Sequence, residues 1–183
     1  MNQLGNKAGR DLAGRDINNS YQLPSPRTPM TALVEQYRSE AATDQTLSSL
    51  IDKLEHWFSN STSSDVRSLE DKLTSSGRAD LLEEALARKQ AAYKLIMRNQ
   101  GSKTAQMIFA YLLAEIVVNF EQTVRPMIQS GVDRAQVDKA ILDNVISPTL
   151  KALEDNPLML DKVEIQSLLY FLGGNCHIRW DPC

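Results

Sequence analysis

The hydrophobic pattern is strongest between Thr104 and Phe120, where apolar side chains occupy nearly all sides of a predicted helix. The residues at the helical spacing i, i+3, i+4 and i+7 are Ala105, Ile108, Phe109, Leu112, Leu113, Ile116, Val117 and Phe120. A helix that is apolar all round either lies in a core or spans a membrane, and a span takes about 20 apolar residues. Gln106, Glu115 and Asn119 interrupt this shorter stretch, so we interpret it as the central helix of a soluble bundle.

Amphipathic helical patterns precede and follow this stretch. They lie at about 29–41, 44–59, 65–75, 80–99, 133–155 and 162–172. Asp80 with Glu83 and Asp161 with Glu164 have the spacing of capping boxes at helix starts. The pattern therefore predicts a mainly α fold, an antiparallel helical bundle of six to seven helices joined by short loops.

Proline and glycine residues mark the places where helices should be interrupted. Gly77 is expected to end the helix that precedes it. Pro126 lacks an N–H and its ring clashes with the preceding turn, so it should kink or end the central helix, and Pro148 should bend the next helix. Gly173 and Gly174 predict the end of the last helix.

The chain closes with a short tail of a different character. Apolar and polar residues alternate after Asn175, which predicts a short terminal strand with Cys176, Ile178 and Trp180 on one face. Cys176 is expected to be a small core residue beside Trp180. The structural tail comprises Gly174, Asn175, Cys176, His177, Ile178, Arg179 and Trp180.

Residues 1–29 differ in composition from the predicted bundle at 30–183. They hold a tandem pentapeptide, KAGRD followed by LAGRD, and then a proline-rich connector. A pair of repeats is too short to bury its own apolar side chains, so we expect it to stack against the same segment of another subunit. The alternative is a flexible leader. The predicted interface residues are Gly9, Arg10, Asp11, Leu12, Gly14, Arg15, Asp16 and Ile17.

Composition narrows the choice of partners. The net charge of −3 over 183 residues makes neither nucleic acid nor an acidic membrane an obvious global partner. Basic residues outnumber acidic ones by only two between residues 1 and 28, four (Lys7, Arg10, Arg15, Arg27) against two (Asp11, Asp16). Direct nucleic-acid binding by this segment alone is therefore not expected, because it requires many neutralised phosphates. Two cysteines and the polar start MNQLGNKAGRD indicate the cytoplasm.

The residue types that carry chemistry are few and poorly spaced for it. A zinc site would need His56, Cys176, His177 and Cys183 to converge, and their spacing matches no common structural zinc pattern. His177, next to Cys176 on a strand, would point to the opposite face and so would not activate the thiol. The phosphate-binding pattern GxxxxGK[ST] does not occur in the chain. We therefore predict no catalytic residue, metal or cofactor.

Two short runs resemble a known family. The ending LLYFLGGNCHIRWDPC resembles the close of C-terminal modules in the ABC-three-component bacterial conflict systems, the Lamassu-like group. The run AGRDLAGRDIN is similar to the glycine-rich repeat that often precedes helical modules in such defence proteins. In those systems the module accompanies an effector, an SMC-like ABC ATPase and a small helical middle component.

The resemblance implies assembly rather than chemistry. It implies a module that forms oligomers and holds an effector inactive until the ATPase senses foreign DNA. The sequence thus predicts a non-enzymatic scaffold module of an anti-phage or anti-plasmid system, a dimer or tetramer without membrane contact. The alternatives are a nucleic-acid-binding accessory subunit of the same kind of system, a small enzyme, or an unrelated helical bundle.

Overall fold

Helices dominate the computed structural model, which describes residues 29–43, 56–59, 67–154 and 156–181. The predicted N-terminal repeat, residues 7–16, and its interface residues 9–17 lie outside the described residues, as does most of the helix predicted at 44–59. Among the residues described there is no β-strand. The predicted mainly α fold is confirmed.

The described helices have the following bounds. They are α1 Pro29–Thr43, α2 Leu69–Ser75, α3 Leu82–Arg98, α4 Lys103–Asn119, α5 Arg125–Gln129, α6 Arg134–Ala140, α7 Ser147–Ala152 and α8 Lys162–Gly174. A 3-10 turn, Ala79–Leu81, leads into α3. The π-helical turns Phe120–Val124 and Ile141–Ile146 join α4 to α5 and α6 to α7. With the helical residues 56–58, the described part contains seven continuous helical segments, within the predicted range.

Helix α4 is the centre of the fold, as the hydrophobic pattern predicts. Its apolar residues with no solvent exposure are Ala105, Ile108, Phe109, Leu112, Leu113 and Ile116. Helices α1, α7 and α8 pack around it. By length and composition alone, Lys103–Gln129 would also qualify as a membrane span. In this fold Phe109, Leu112 and Phe120 are covered by neighbouring elements, as in the core helix of a globular domain, whereas Val118 is exposed.

The two π-helical turns accommodate the prolines. The helix does not end at Pro126 but runs on to Gln129, and the turn before it widens so that the Arg125 N–H bonds to the Phe120 carbonyl. The same arrangement precedes Pro148, where the Ser147 N–H bonds to the Leu142 carbonyl. A wider turn relieves the clash between a proline ring and the carbonyl one turn back. Each predicted interruption is therefore a local widening within a continuous helix.

Helices α3 and α8 are the most closely packed pair. Ala85 and Ala92 of α3 are fully buried, and small side chains let two helix backbones approach each other. Gly174, at the end of α8, lies against Lys89 of α3. This contact fixes the position of the end of α8, where the tail begins.

Two predicted helix starts need correction. Helix α2 begins at Leu69 rather than 65, because Ser68 is its N-cap and forms a capping box with Asp71. The predicted capping box of Asp80 and Glu83 is wrong, since α3 has no side-chain cap and Asp80 binds Arg134 instead. The capping box predicted for α8, Asp161 with Glu164, is confirmed.

Candidate functional site: the anchored C-terminal tail

The predicted structural tail begins at Gly174, but Gly174 is the last residue of α8, so the tail in the structure comprises residues 175–181. Cys176, Ile178 and Trp180 are buried while His177 and Arg179 are half-buried, so the predicted alternation is confirmed. The predicted strand is not confirmed, because the described part of the chain offers no second strand with which it could pair. The extended tail is therefore fixed by packing and by side-chain hydrogen bonds rather than by a β-ladder.

Two lysines bind the end of α8, which continues through both glycines instead of stopping before them. The Lys72 Nζ donates a hydrogen bond of 2.8 Å to the Gly173 carbonyl, and the Lys89 Nζ donates one of 3.2 Å to the Gly174 carbonyl. Cations stabilise the negative end of a helix and satisfy carbonyls that have no helical partner. The pKa of Lys89 is lowered, mainly because burial disfavours the charged form of its amino group. Helix α8 thus includes Gly173 and Gly174 and has Asn175 as its C-cap, two residues later than the predicted end at Leu172.

Trp180 packs directly on the glycine backbone. A Cβ added at Gly173 would overlap the Cζ3 atom of the Trp180 ring. The indole stacks on Tyr170 at a centroid distance of 5.5 Å and meets Phe120 edge-on at 5.8 Å. Such aromatic pairs add about 0.5–1.5 kcal/mol each beyond their buried area. Gly173 is thus required for the tail to close over the core.

Asp181 forms an ion pair that ties the tail to Arg67, two residues before α2. Its carboxylate accepts hydrogen bonds from Arg67 and, at 3.5 Å, from the Ser75 hydroxyl. The Asp181 side chain has no solvent exposure, whereas that of Arg67 is 25% exposed. A buried carboxylate is costly without a cationic partner, so Asp181 depends on Arg67.

A second anchor joins the tail to residues 56–59. The Asn175 Nδ2 donates to the Trp57 carbonyl at 2.9 Å, and the His177 Nε2 lies 3.1 Å from the Ser59 carbonyl oxygen. The rings of His56 and Trp57 each lie 5.1 Å from the His177 ring. Burial is the main cause that lowers the pKa of His177, and the nearby His56 contributes to it.

Cys176 has a structural environment. The thiol is buried and donates a weak hydrogen bond to the Arg67 carbonyl at 3.5 Å. Its backbone has a φ of 64°, which turns the chain after α8 into the tail. The structure brings His56 and His177 together, but in the described ranges no three potential metal ligands cluster.

Sequence reasoning identifies the tail but misses its anchors. Arg67, Lys72 and Lys89 look like solvated helix-surface cations, and no local motif marks them. Lys72 is 1% exposed and lies 101 residues from Gly173 in the sequence. Only the charge of Asp181 beside Trp180 hints that the tail needs a cation.

A separate ion-pair network joins the α2–α3 connection to α6. The Arg134 guanidinium binds Asp80 with two hydrogen bonds of 2.7 and 2.8 Å, and Arg78 binds Asp138 at 2.5 Å. Hydrogen bonding to Arg134 lowers the pKa of Asp80. A neighbouring groove of about 360 Å³ has Trp180 in its lining. These cations are already neutralised by carboxylates of the same chain.

The described residues thus form a mainly α module with a C-terminal tail that packs over its core. The chain belongs to the family described as C-terminal domain 9 of the ABC-three component (ABC-3C) systems, whose family model matches residues 68–180. The match starts at Ser68, the cap of α2, and ends at Trp180, so it takes in most of the tail and both lysine anchors. No curated protein and no solved structure matches the chain.

Proposed function

We infer that this protein is a non-enzymatic oligomerisation and scaffold module that holds or regulates an effector within its ABC-3C system. The family match over residues 68–180 carries the proposal, because it makes the chain part of a multi-component system. An SMC-like ABC ATPase and an effector or middle component are the proposed partners. Anti-phage or anti-plasmid defence in the cytoplasm is the proposed setting.

The polar side chains that fix the end of α8 and the tail support a scaffold role. Lys72, Lys89 and Asn175 donate hydrogen bonds to backbone carbonyls, and Asp181 binds Arg67. Groups bound in this way stabilise one shape of the tail and the bundle. A module that must present fixed surfaces to several partners benefits from such rigidity, because less ordering is then required on binding.

The N-terminal repeat is the proposed first contact between subunits. Its residues, from Gly9 to Ile17, precede the range that the family match covers. Two repeats gain stability only by stacking on further repeats, and a second subunit would supply them.

Copurification tests the assignment of partners. The full chain would be coexpressed with the tagged ATPase and the effector of its own system, and the same resin with tagged ATPase alone would be the control. We expect a stable complex that contains this chain. The proposal would be overturned if neither partner retained the chain while the chain itself was folded.

The same material tests the alternative of a nucleic-acid-binding subunit. Its affinity for duplex DNA would be measured at several salt concentrations, since phosphate contacts make the logarithm of affinity fall steeply with the logarithm of salt. We expect no tight, salt-dependent binding. Tight binding with a steep salt dependence would favour the accessory subunit over the scaffold.

A further inference from the structure

Helix α3 has one face buried against α8 and an opposite face that is largely exposed among the described residues, although the Phe58 ring meets Tyr93 edge-on at 5.8 Å. Ala85, Ala92 and Ile96 lie on the buried face. The opposite face, which we name the α3 stripe, consists of Glu83, Leu86, Ala87, Gln90, Tyr93, Lys94 and Met97. Its members repeat with the 3-4 spacing of a helix-helix seam.

The middle of the α3 stripe is uncharged and partly apolar. Leu86 is 49% exposed and Tyr93 is 47% exposed, although both are large hydrophobic residues. Beside them lies a hollow of about 320 Å³, with Phe58 and Phe171 in its lining. The small Ala87 between them would let a second helix approach closely. An exposed aromatic and an exposed leucine one heptad apart are the anchors expected of a helix-binding surface.

Charge changes sign from one end of α3 to the other. Glu83 lies at the N-terminal end of the stripe, whereas Lys94 and the neighbouring Arg98 lie at the C-terminal end. None of these three residues forms an ion pair within the described part of the chain, in contrast to Glu84, which binds Arg88 at 2.6 Å. A second α3 running antiparallel would bring Glu83 to the partner's Lys94 and Arg98. The surface is therefore complementary to itself.

We propose that the α3 stripe is a contact between two copies of this chain, which pair antiparallel about a two-fold axis near Gln90. Leu86 of each copy then packs against the partner's Tyr93, and Glu83 forms ion pairs with the partner's Lys94 and Arg98. The inference rests on the proposed oligomerising function and identifies a second contact besides the N-terminal repeat. Antiparallel pairing also places opposite helix-dipole ends side by side.

The size of the α3 stripe limits how tightly two copies can associate through it. Helix α3 has 17 residues, so it is about 25 Å long. One helix face buries less than a standard interface of about 1,600 Å². The α3 contact by itself is therefore expected to dissociate on dilution, and the comparison of variants must cover a range of protein concentrations.

Replacement of the apolar anchors tests the surface in the full chain. The variants Leu86→Glu and Tyr93→Glu would be compared with Val118→Glu on α4, because Val118 is 48% exposed and offers a matched control. Light scattering against concentration is expected to show weaker association for the two α3 variants only. Circular dichroism melting would verify that all three variants are folded. Unchanged association of folded Leu86→Glu and Tyr93→Glu would overturn the proposal.

Charge reversal tests the antiparallel arrangement. Glu83→Lys should raise the dissociation constant roughly tenfold, because the attractions of each Glu83 to the partner's Lys94 and Arg98 become repulsions. Adding Lys94→Glu and Arg98→Glu to Glu83→Lys should restore the original value. A combined variant no tighter than Glu83→Lys alone would contradict the pairing.

A cysteine at the axis gives an independent readout. In a Cys183→Ser background, Gln90→Cys should form a disulfide dimer under mild oxidation, whereas Val118→Cys should not. Equal crosslinking at both positions would overturn the assigned axis. If the wild-type chain is a monomer at every concentration, the proposed oligomerising function fails too; an oligomer unaffected by the α3 variants contradicts this inference alone.

Discussion

At the scale of single residues, the end of α8 depends on side chains that have little room to change. Trp180 lies on Gly173, and Lys72 and Lys89 bind the last two helix carbonyls. Asp181 and His177 then fix the tail to Arg67 and to the Ser59 carbonyl. Three substitutions distinguish packing, charge and protonation as sources of this stability.

Gly173→Ala tests the packing of the tail. The added Cβ would overlap the Trp180 ring, and overpacking of this kind lowers the free energy of unfolding by about 1–3 kcal/mol. Gly174→Ala is the comparison, because its Cβ would meet the end of Lys89, which can move at the expense of its hydrogen bond to the Gly174 carbonyl, so a smaller loss is expected. Urea unfolding monitored by Trp fluorescence would measure the free energy of unfolding of both variants. Equal stability of Gly173→Ala and wild type would contradict the packing argument.

Asp181→Asn tests the buried ion pair. The change removes the buried negative charge that pairs with the Arg67 guanidinium, and we expect a loss of about 1–3 kcal/mol. Glu84→Gln serves as the comparison, since the Glu84 side chain is 50% exposed, in contrast to Asp181, and its i,i+4 pair with Arg88 should contribute no more than about 0.5 kcal/mol. Thermal and urea unfolding would measure the loss of stability of both variants relative to wild type. A smaller effect at Asp181 than at Glu84 would show that the ion pair does not hold the tail.

The pH dependence of stability tests the environment of His177. Burial lowers its pKa in the folded protein, so the unfolded chain binds the proton more readily. The free energy of unfolding should therefore fall as the pH drops through about 6.5, the value in the unfolded chain. His177→Gln should lose part of this slope, which urea unfolding on both sides of that pH would reveal. An identical slope in the variant would assign the dependence to other groups.

At the scale of elements, local signals succeed where tertiary contacts agree with them. Asp161 and Glu164 form the capping box that their spacing predicts. Asp80 and Glu83 have the same spacing and form none, because Asp80 is held by Arg134, 54 residues away in the sequence. Sequence also predicts the prolines only in part. The clash of Pro126 and Pro148 with the preceding helical turn is predictable, but the π-helical turns that relieve it depend on the core packing around α4.

Asp161→Ala tests the start of α8. Its carboxylate accepts hydrogen bonds from the N–H groups of Val163 and Glu164, and loss of an N-cap costs about 1 kcal/mol. Asp143→Ala is a suitable control, because it removes only an exposed pair with Lys139. Differential scanning calorimetry should show a lower melting temperature for Asp161→Ala than for Asp143→Ala. The reverse order would mean that the cap does not limit the stability of the fold.

At the scale of the whole molecule, the burial pattern is far more predictable than the contacts that fix the tail. The apolar stretch identifies α4 as the central helix, and alternation identifies Cys176, Ile178 and Trp180 as buried. The anchors are not predictable, because Arg67 lies 114 residues from Asp181 and no local periodicity links them. The predicted strand fails for a related reason: alternation reports burial, whereas a strand also needs a neighbour.

The central claim is that the chain is a self-associating scaffold, and its solution mass tests this most directly. Light scattering would be measured over a range of concentrations for the full chain and for a version that lacks residues 1–22. We expect a dimer or tetramer for the full chain and looser association for the shortened one, since the repeat is the proposed first contact. A monomer in both cases, at all concentrations, would contradict the claim.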